Sequence, residues 1–210
     1  TNFASGVGSV TVSGNQIINN GDSVGSADSG ILVLNSESNE ETLAGVVISN
    51  NRIEGLNGTG NTGGTYGIFV KATYKIKDVA INGNVLNVND IGGILVQAVR
   101  ELKNVVVSGN VVNQISDGQD EPGIFLLGSA ASSENSSVAS KVQYGSVSDN
   151  VINLTGSSGS NIYGIRLERT NSIIVSTNII VGNTAGNKVF PPTATDSNNT
   201  FNLYTNNIGS

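Results

Sequence analysis

The chain has 210 residues, only 12% of them charged, with 10 basic and 16 acidic side chains and a formal net charge of −6. It contains no Cys, His, Met or Trp, which excludes thiol nucleophiles, Ser-His-Asp triads and thiolate or imidazole metal sites. No basic cluster favours nucleic acid, no apolar run approaches a bilayer span, and the absence of Met predicts a fragment or a processed mature form. Gly and Asn are abundant, 27 and 30 residues. That composition ordinarily marks loops, but here both residue types recur in order.

A six-residue pattern repeats along the chain: V-S-G-N-Q-I from Val12, I-S-N-N-R-I from Ile48, I-N-G-N-V-L from Ile81, V-S-G-N-V-V from Val107, V-S-D-N-V-I from Val147 and V-S-T-N-I-I from Val175. Its fixed Asn falls at Asn15, Asn51, Asn84, Asn110, Asn150 and Asn178. Before it, Val10/Val12, Val46/Ile48, Val79/Ile81, Val105/Val107 and Ile173/Val175 alternate at the period of a strand. After it a second short strand begins with Ile17, Ile53, Leu86, Val112, Ile152 and Ile180 in register. A variable polar stretch then leads to a third strand: G-I-L-V at Gly30, G-I-F-V at Gly67, G-I-L-V at Gly93, G-I-F-L at Gly123 and G-I-R-L at Gly164. Two interleaved motifs at periods of 26 to 40 residues, varying only in the loops, predict a solenoid with three strands and three corners per turn.

These V-x-[IV]-[SN]-x-N-x-[IV] turns and G-I-x-[VL] strands resemble the right-handed parallel β-helix of the pectate lyase-like superfamily. The resemblance implies an all-β, single-stranded solenoid of about six coils over residues 1–182, with 183–210 as a terminal partial coil or cap. The six Asn would stack about 4.8 Å apart as a ladder. Neither end has an amphipathic capping helix, so the N-terminal end is expected to continue into further chain or a partner.

In this family the cleft lies over the outer face of the G-I-x-V strands and the loops beside it, here 54–66, 116–122 and 155–163. The outward pairs are Leu32/Leu34, Phe69/Lys71, Leu95/Gln97, Phe125/Leu127 and Arg166/Glu168. The Leu32, Phe69, Leu95, Phe125 stripe is too apolar for a solvated face. It is covered by the chain's own loops, by a homotrimer seam, or by stacked sugar. The family's charged rows are missing, and so is its G-H-G motif. Acid–base work would fall to Asp120, Glu121 and Glu168, since glycoside hydrolysis needs a carboxyl pair about 5–9.5 Å apart. Arg166, Arg169, Asp117 and Tyr163 are the candidate substrate-binding residues, against a bland reading as surface ion pairs, an acidic loop and corner packing. Ca²⁺ on the 116–122 loop lacks a D-x-D-x-D-G spacing, and no cofactor or metal is expected.

Three functions follow from the resemblance. The first is an extracellular or virion-surface segment of a tailspike or tail appendage that recognises a cell-surface polysaccharide, as a slow-folding homotrimer. The second is a polysaccharide lyase or glycoside hydrolase. The third is a bacterial surface adhesin or filament subunit.

Overall fold

A computed structural model describes residues 8–18, 29–35, 42–57, 66–72, 75–89, 92–98, 101–115, 122–128, 141–155, 163–182, 189–190 and 203–209. The described residues form twenty strands in three parallel sheets, of seven, seven and six strands. The long sheet comprises the strands that lead into the fixed Asn: Val10–Ser13, Thr42–Ser49, Lys75–Asn82, Glu101–Ser108, Lys141–Ser148, Thr170–Ser176 and Leu203–Thr205. The short sheet holds those that follow it: Gln16–Ile18, Arg52–Asn57, Val85–Asn89, Val111–Ile115, Val151–Thr155, Ile179–Val181 and Ile208–Gly209. The Gly-Ile sheet holds Ile31–Asn35, Tyr66–Ala72, Gly92–Ala98, Ile124–Gly128, Ile165–Glu168 and Val189–Phe190. Each strand pairs with its equivalent one turn earlier and one turn later, so the chain winds as a parallel β-helix.

Alternation decides which side chains fill the tube. Ile48, Ile81, Val107 and Val175 from the long sheet, Ile53, Leu86 and Ile152 from the short sheet, and Ile68, Ile94, Ile124 and Ile165 from the Gly-Ile sheet are all fully buried in one core. β-Branched side chains suit both the pleat and this stacking. The expected six coils become seven in the long and short sheets. Residues 189–190 and 203–209, in the segment read as a terminal partial coil or cap, add one strand to each sheet.

The corner between long and short sheets is built by two residues with different tasks. The first takes a left-handed backbone at Gly14, Asn50, Gly83, Gly109, Asp149, Thr177 and Asn206, with φ from 52° to 69°. This is why Gly, Asn or Asp occupies most of these positions. The second is the ladder residue. Asn51 donates its backbone N–H and its side-chain amide to Asn84 Oδ1, both at 3.0 Å, and its amide also reaches back to the Val12 carbonyl at 2.9 Å. Asn84, Asn110 and Asn150 repeat the three bonds one coil further on each time. Asn178 continues them to Asn207, a seventh rung that the spacing of the first six did not bring out.

The fixed Gly of the G-I-x-V motif has a steric reason. A Cβ on Gly93 would run into the Gly123 carbonyl oxygen of the next coil and meet Val112 Cγ1 at 2.5 Å. The motif therefore marks the place where successive coils approach too closely for any side chain.

Two stability tests follow. Asn110→Ala leaves the Asn84 amide and backbone N–H without an acceptor in a dry corner, at a cost of about 1–3 kcal/mol. Asn15→Ala, at the exposed first rung, should cost less. Equal losses for the two in chemical denaturation would refute the ladder as the source. Gly93→Ala should likewise destabilise by about 1–3 kcal/mol through overpacking, and a variant as stable as the parent would refute the steric account.

Candidate functional site

On the Gly-Ile sheet the register runs Leu32, Phe69, Leu95, Phe125, Arg166 along one outer column and Leu34, Lys71, Gln97, Leu127, Glu168 along the next. The orientation read from the sequence is therefore the one observed. The exposure is not. Leu95 and Phe125 are only 4% and 8% exposed within the single chain, and they form a second apolar cluster with Tyr66, flanked by Phe69 and Leu127. Tyr66 supplies part of the cover. Its ring lies against Gly92 of the next coil, where a Cβ would collide with it, and it packs on Phe69 at 6.1 Å between centroids. Of the stripe, Leu32 stays exposed at 41% and Phe69 is half-buried.

The polar end of the same columns is a compact assembly. Arg166 forms an ion pair with Glu168, two residues on along the same strand and face. Its guanidinium carbon lies 5.1 Å from the Phe125 ring centroid and 5.5 Å from that of Tyr163. Tyr163 is itself buried at the entry to the strand. Both contacts fall within the range of cation–π attraction. Arg166 Nε is buried without a hydrogen-bond partner, so the guanidinium is held by its rings and by Glu168. Arg169 forms the next corner, with a left-handed φ of 50°, and its Nη1 donates to the Gly128 carbonyl of the preceding coil at 3.4 Å.

The structure thus brings together Arg166, Glu168 and Tyr163, and adds Phe125, which sequence reasoning had placed in the stripe alone. Phe125 could have been found there, because it holds the position of Arg166 one coil earlier in G-I-F-L and G-I-R-L. Arg169 is engaged with the backbone at the corner. Asp117, Asp120 and Glu121 lie outside the described residues. Glu168 is the one carboxylate in the two outer columns, and Arg166 takes it up. Among the described residues no group of three or more acidic side chains is placed to hold a metal ion.

A second polar system runs along the outside of the short sheet. Arg52 Nε donates to Glu54 Oε1 at 2.7 Å, and Asn87 donates to the same oxygen at 3.1 Å. Asn113 donates to Asn87 Oδ1 at 2.7 Å, and Asn153 to Asn113 Oδ1 at 2.6 Å. The repeated Asn two positions into V-L-N, V-V-N and V-I-N is its sequence signal. Asn153, which opens an N-x-T sequon, is tied into this outer ladder.

Compared with protein-family models, curated proteins and solved structures, the chain matches none of them.

The Glu54 carboxyl is held below its ordinary value, chiefly by the Arg52 hydrogen bond; desolvation opposes this and the Asn87 hydrogen bond adds to it. A depressed folded-state value gives stability that is present above the unfolded value, near 4, and lost as pH falls through the folded one. Thermal melts of the parent and Glu54→Gln should therefore differ at pH 6 and converge at pH 2. A gap that persists at pH 2 would contradict this.

Proposed function

We propose that this chain is a non-catalytic segment of an extracellular or virion-surface protein of the tailspike or tail-appendage kind, and that it recognises a cell-surface polysaccharide. The observation that supports this is the state of the Gly-Ile face. Its one carboxylate in the outer columns is occupied by Arg166, whose guanidinium is fixed between Phe125 and Tyr163. A rigid, part-exposed planar donor suits the holding of sugar oxygens or a sugar carboxylate. Cleavage would need a second carboxyl poised across the bond, and among the described residues the outer columns supply none. A homotrimer belongs to the same proposal, and of the stripe only Leu32 and Phe69 are left to carry its apolar contact.

Binding to a panel of bacterial capsular and lipopolysaccharide glycans, read by biolayer interferometry, tests the reading. At least one glycan should bind, and Arg166→Ala should weaken it tenfold or more, about 1.4 kcal/mol. New reducing ends or an unsaturated-uronate absorbance would move the protein to the lyase or hydrolase reading. A sedimenting monomer would remove the trimer.

A further inference from the structure

Five of the seven long-sheet strands contain one residue with left-handed φ: Gly45, Asp78, Asn104, Tyr144 and Ser172 occupy this position in successive coils. Glycine and small polar residues fit such a backbone. Tyr144, with φ 54°, is the exception, because a bulky aromatic side chain is disfavoured there. The next position breaks a second rule. Val46, Val79, Val105 and Ile173 point into the core, but the fifth coil has Gly145. A Cβ on Gly145 would strike the Val105 carbonyl, so the fifth coil rests closely on the fourth at this point. Two local rules are broken side by side, although the missing Cβ of Gly145 also lets the fifth coil close on the fourth. Strain and pattern-breaking of this kind concentrate at functional sites.

What the break achieves is exposure of an aromatic ring. Tyr144 is 52% exposed on the outside of the long sheet, whereas Tyr66, Tyr163 and Phe125 are buried. Hydrogen-bonding groups surround it. Asn104 and Asp78 stand one and two coils away in its own column and are exposed, the Asn104 amide donating to Asp78 Oδ1 at 2.8 Å. Ser172 follows on the other side. In the adjacent column Gln143 lies in register with Lys103, and Lys103 with Lys77. The Lys103 ammonium sits 2.7 Å from Glu101 and is held above its ordinary value, first by that hydrogen bond. Lys103 is paired with Glu101 and Lys77 lies beside Asp78, while Lys75 and Lys141 flank Glu101 in its column.

We propose that this outer side of the long sheet is a binding site for an uncharged oligosaccharide, with a pyranose ring stacked on Tyr144 and its hydroxyls met by Asn104, Asp78 and Ser172. One aromatic face surrounded by amide, carboxylate and hydroxyl groups matches the alternation of C–H and O–H faces on a sugar. The exposed Asp78 carboxylate in the ring's own column disfavours a polyanion there. In the next column Val106, Ile174 and Leu203 are exposed, and Ser146 separates Val106 from Ile174. Parallel strands spaced at about 4.8 Å also let a linear chain lie along the column. The proposal goes beyond the glycan recognition inferred above by assigning it a second site, on a different sheet from Arg166.

The test uses the full chain, with neutral gluco-, galacto- and manno-oligosaccharides of four to six residues beside oligogalacturonate, read by saturation-transfer NMR and calorimetry. A neutral oligosaccharide should bind, Tyr144→Ala should weaken it at least tenfold, and Tyr144→Phe should keep it within about threefold. Tyr144→Gly relieves the left-handed strain, so it should melt no lower than the parent while losing binding; this separates folding from recognition. Binding that survives Tyr144→Ala and Tyr144→Gly overturns the site. If that binding is instead lost in Arg166→Ala, the Gly-Ile face reading stands alone. Preference for oligogalacturonate overturns the uncharged class, and no binding of any glycan removes both readings.

Discussion

The structure depends on the side-chain amide of one buried Asn per coil. A corner of two residues, turning a strand through the wall of a narrow tube, leaves backbone groups that neither adjoining sheet can pair. Water cannot serve them, because Asn84, Asn110, Asn150 and Asn178 are fully buried. The Asn side chain solves this with one acceptor and two donors. Its oxygen takes both N–H groups offered by the rung before it. Its amide gives one hydrogen to the next rung and the other to a strand carbonyl of the preceding coil. Aspartate would lose the donors, and serine or threonine would offer a single one. Every coil is thereby fixed in height and rotation against its neighbours.

That registration turns sequence position into surface position. Once the corner Asn is set, a residue four places before it and a residue two places after it occupy the same columns in every coil. Phe125 comes to lie beside Arg166, and Asn87, Asn113 and Asn153 come to lie within hydrogen-bonding distance in line. The outer ladder and the contact of Phe125 with Arg166 have no local origin in the chain, since their members are 26 to 41 residues apart. They exist because the inner ladder holds the coils in step. The lengths of the intervening loops hardly matter to this, which is why insertions of very different size are accommodated between identical coils.

The same logic explains what could be read without coordinates. Strand direction, the inward set and six ladder positions were legible because each is a repeated local pattern. Asn207 was missed because its coil departs from the motif, with Tyr204-Thr205 where the others carry Val or Ile before Ser or Asn. The strand before Asn150 was under-read for a similar reason, since Gly145 replaces the expected inward Val or Ile. The orientation of the Leu32–Phe125 stripe was legible but its burial was not. Alternation says which way Leu95 points; whether water reaches it depends on other side chains, such as Tyr66, folding over a neighbouring coil. The pairing of Arg166 with Glu168 was open from the sequence as a bland surface contact, and the rings that clamp it came only with the coil stacking.

Charge pairing on this surface follows from the strand itself. The three ion pairs among the described residues, Arg52–Glu54, Glu101–Lys103 and Arg166–Glu168, each join positions two apart on one strand. Residues two apart share a face, so each pair closes within its own coil and leaves the column of coils without a continuous row of one sign. A polyanion-binding groove on a parallel β-helix would require the opposite arrangement, with like charges stacked coil upon coil to meet a repeating anionic ligand. Like charges stand in register at Lys77 and Lys103, and the longer stacks of like groups on the outside are the amides Asn87, Asn113 and Asn153 and the apolar stripe. The low charge content noted at the outset therefore has a structural counterpart. The long, regular surface offers hydrogen-bonding and apolar groups in register, and each of its ion pairs among the described residues closes within a single strand.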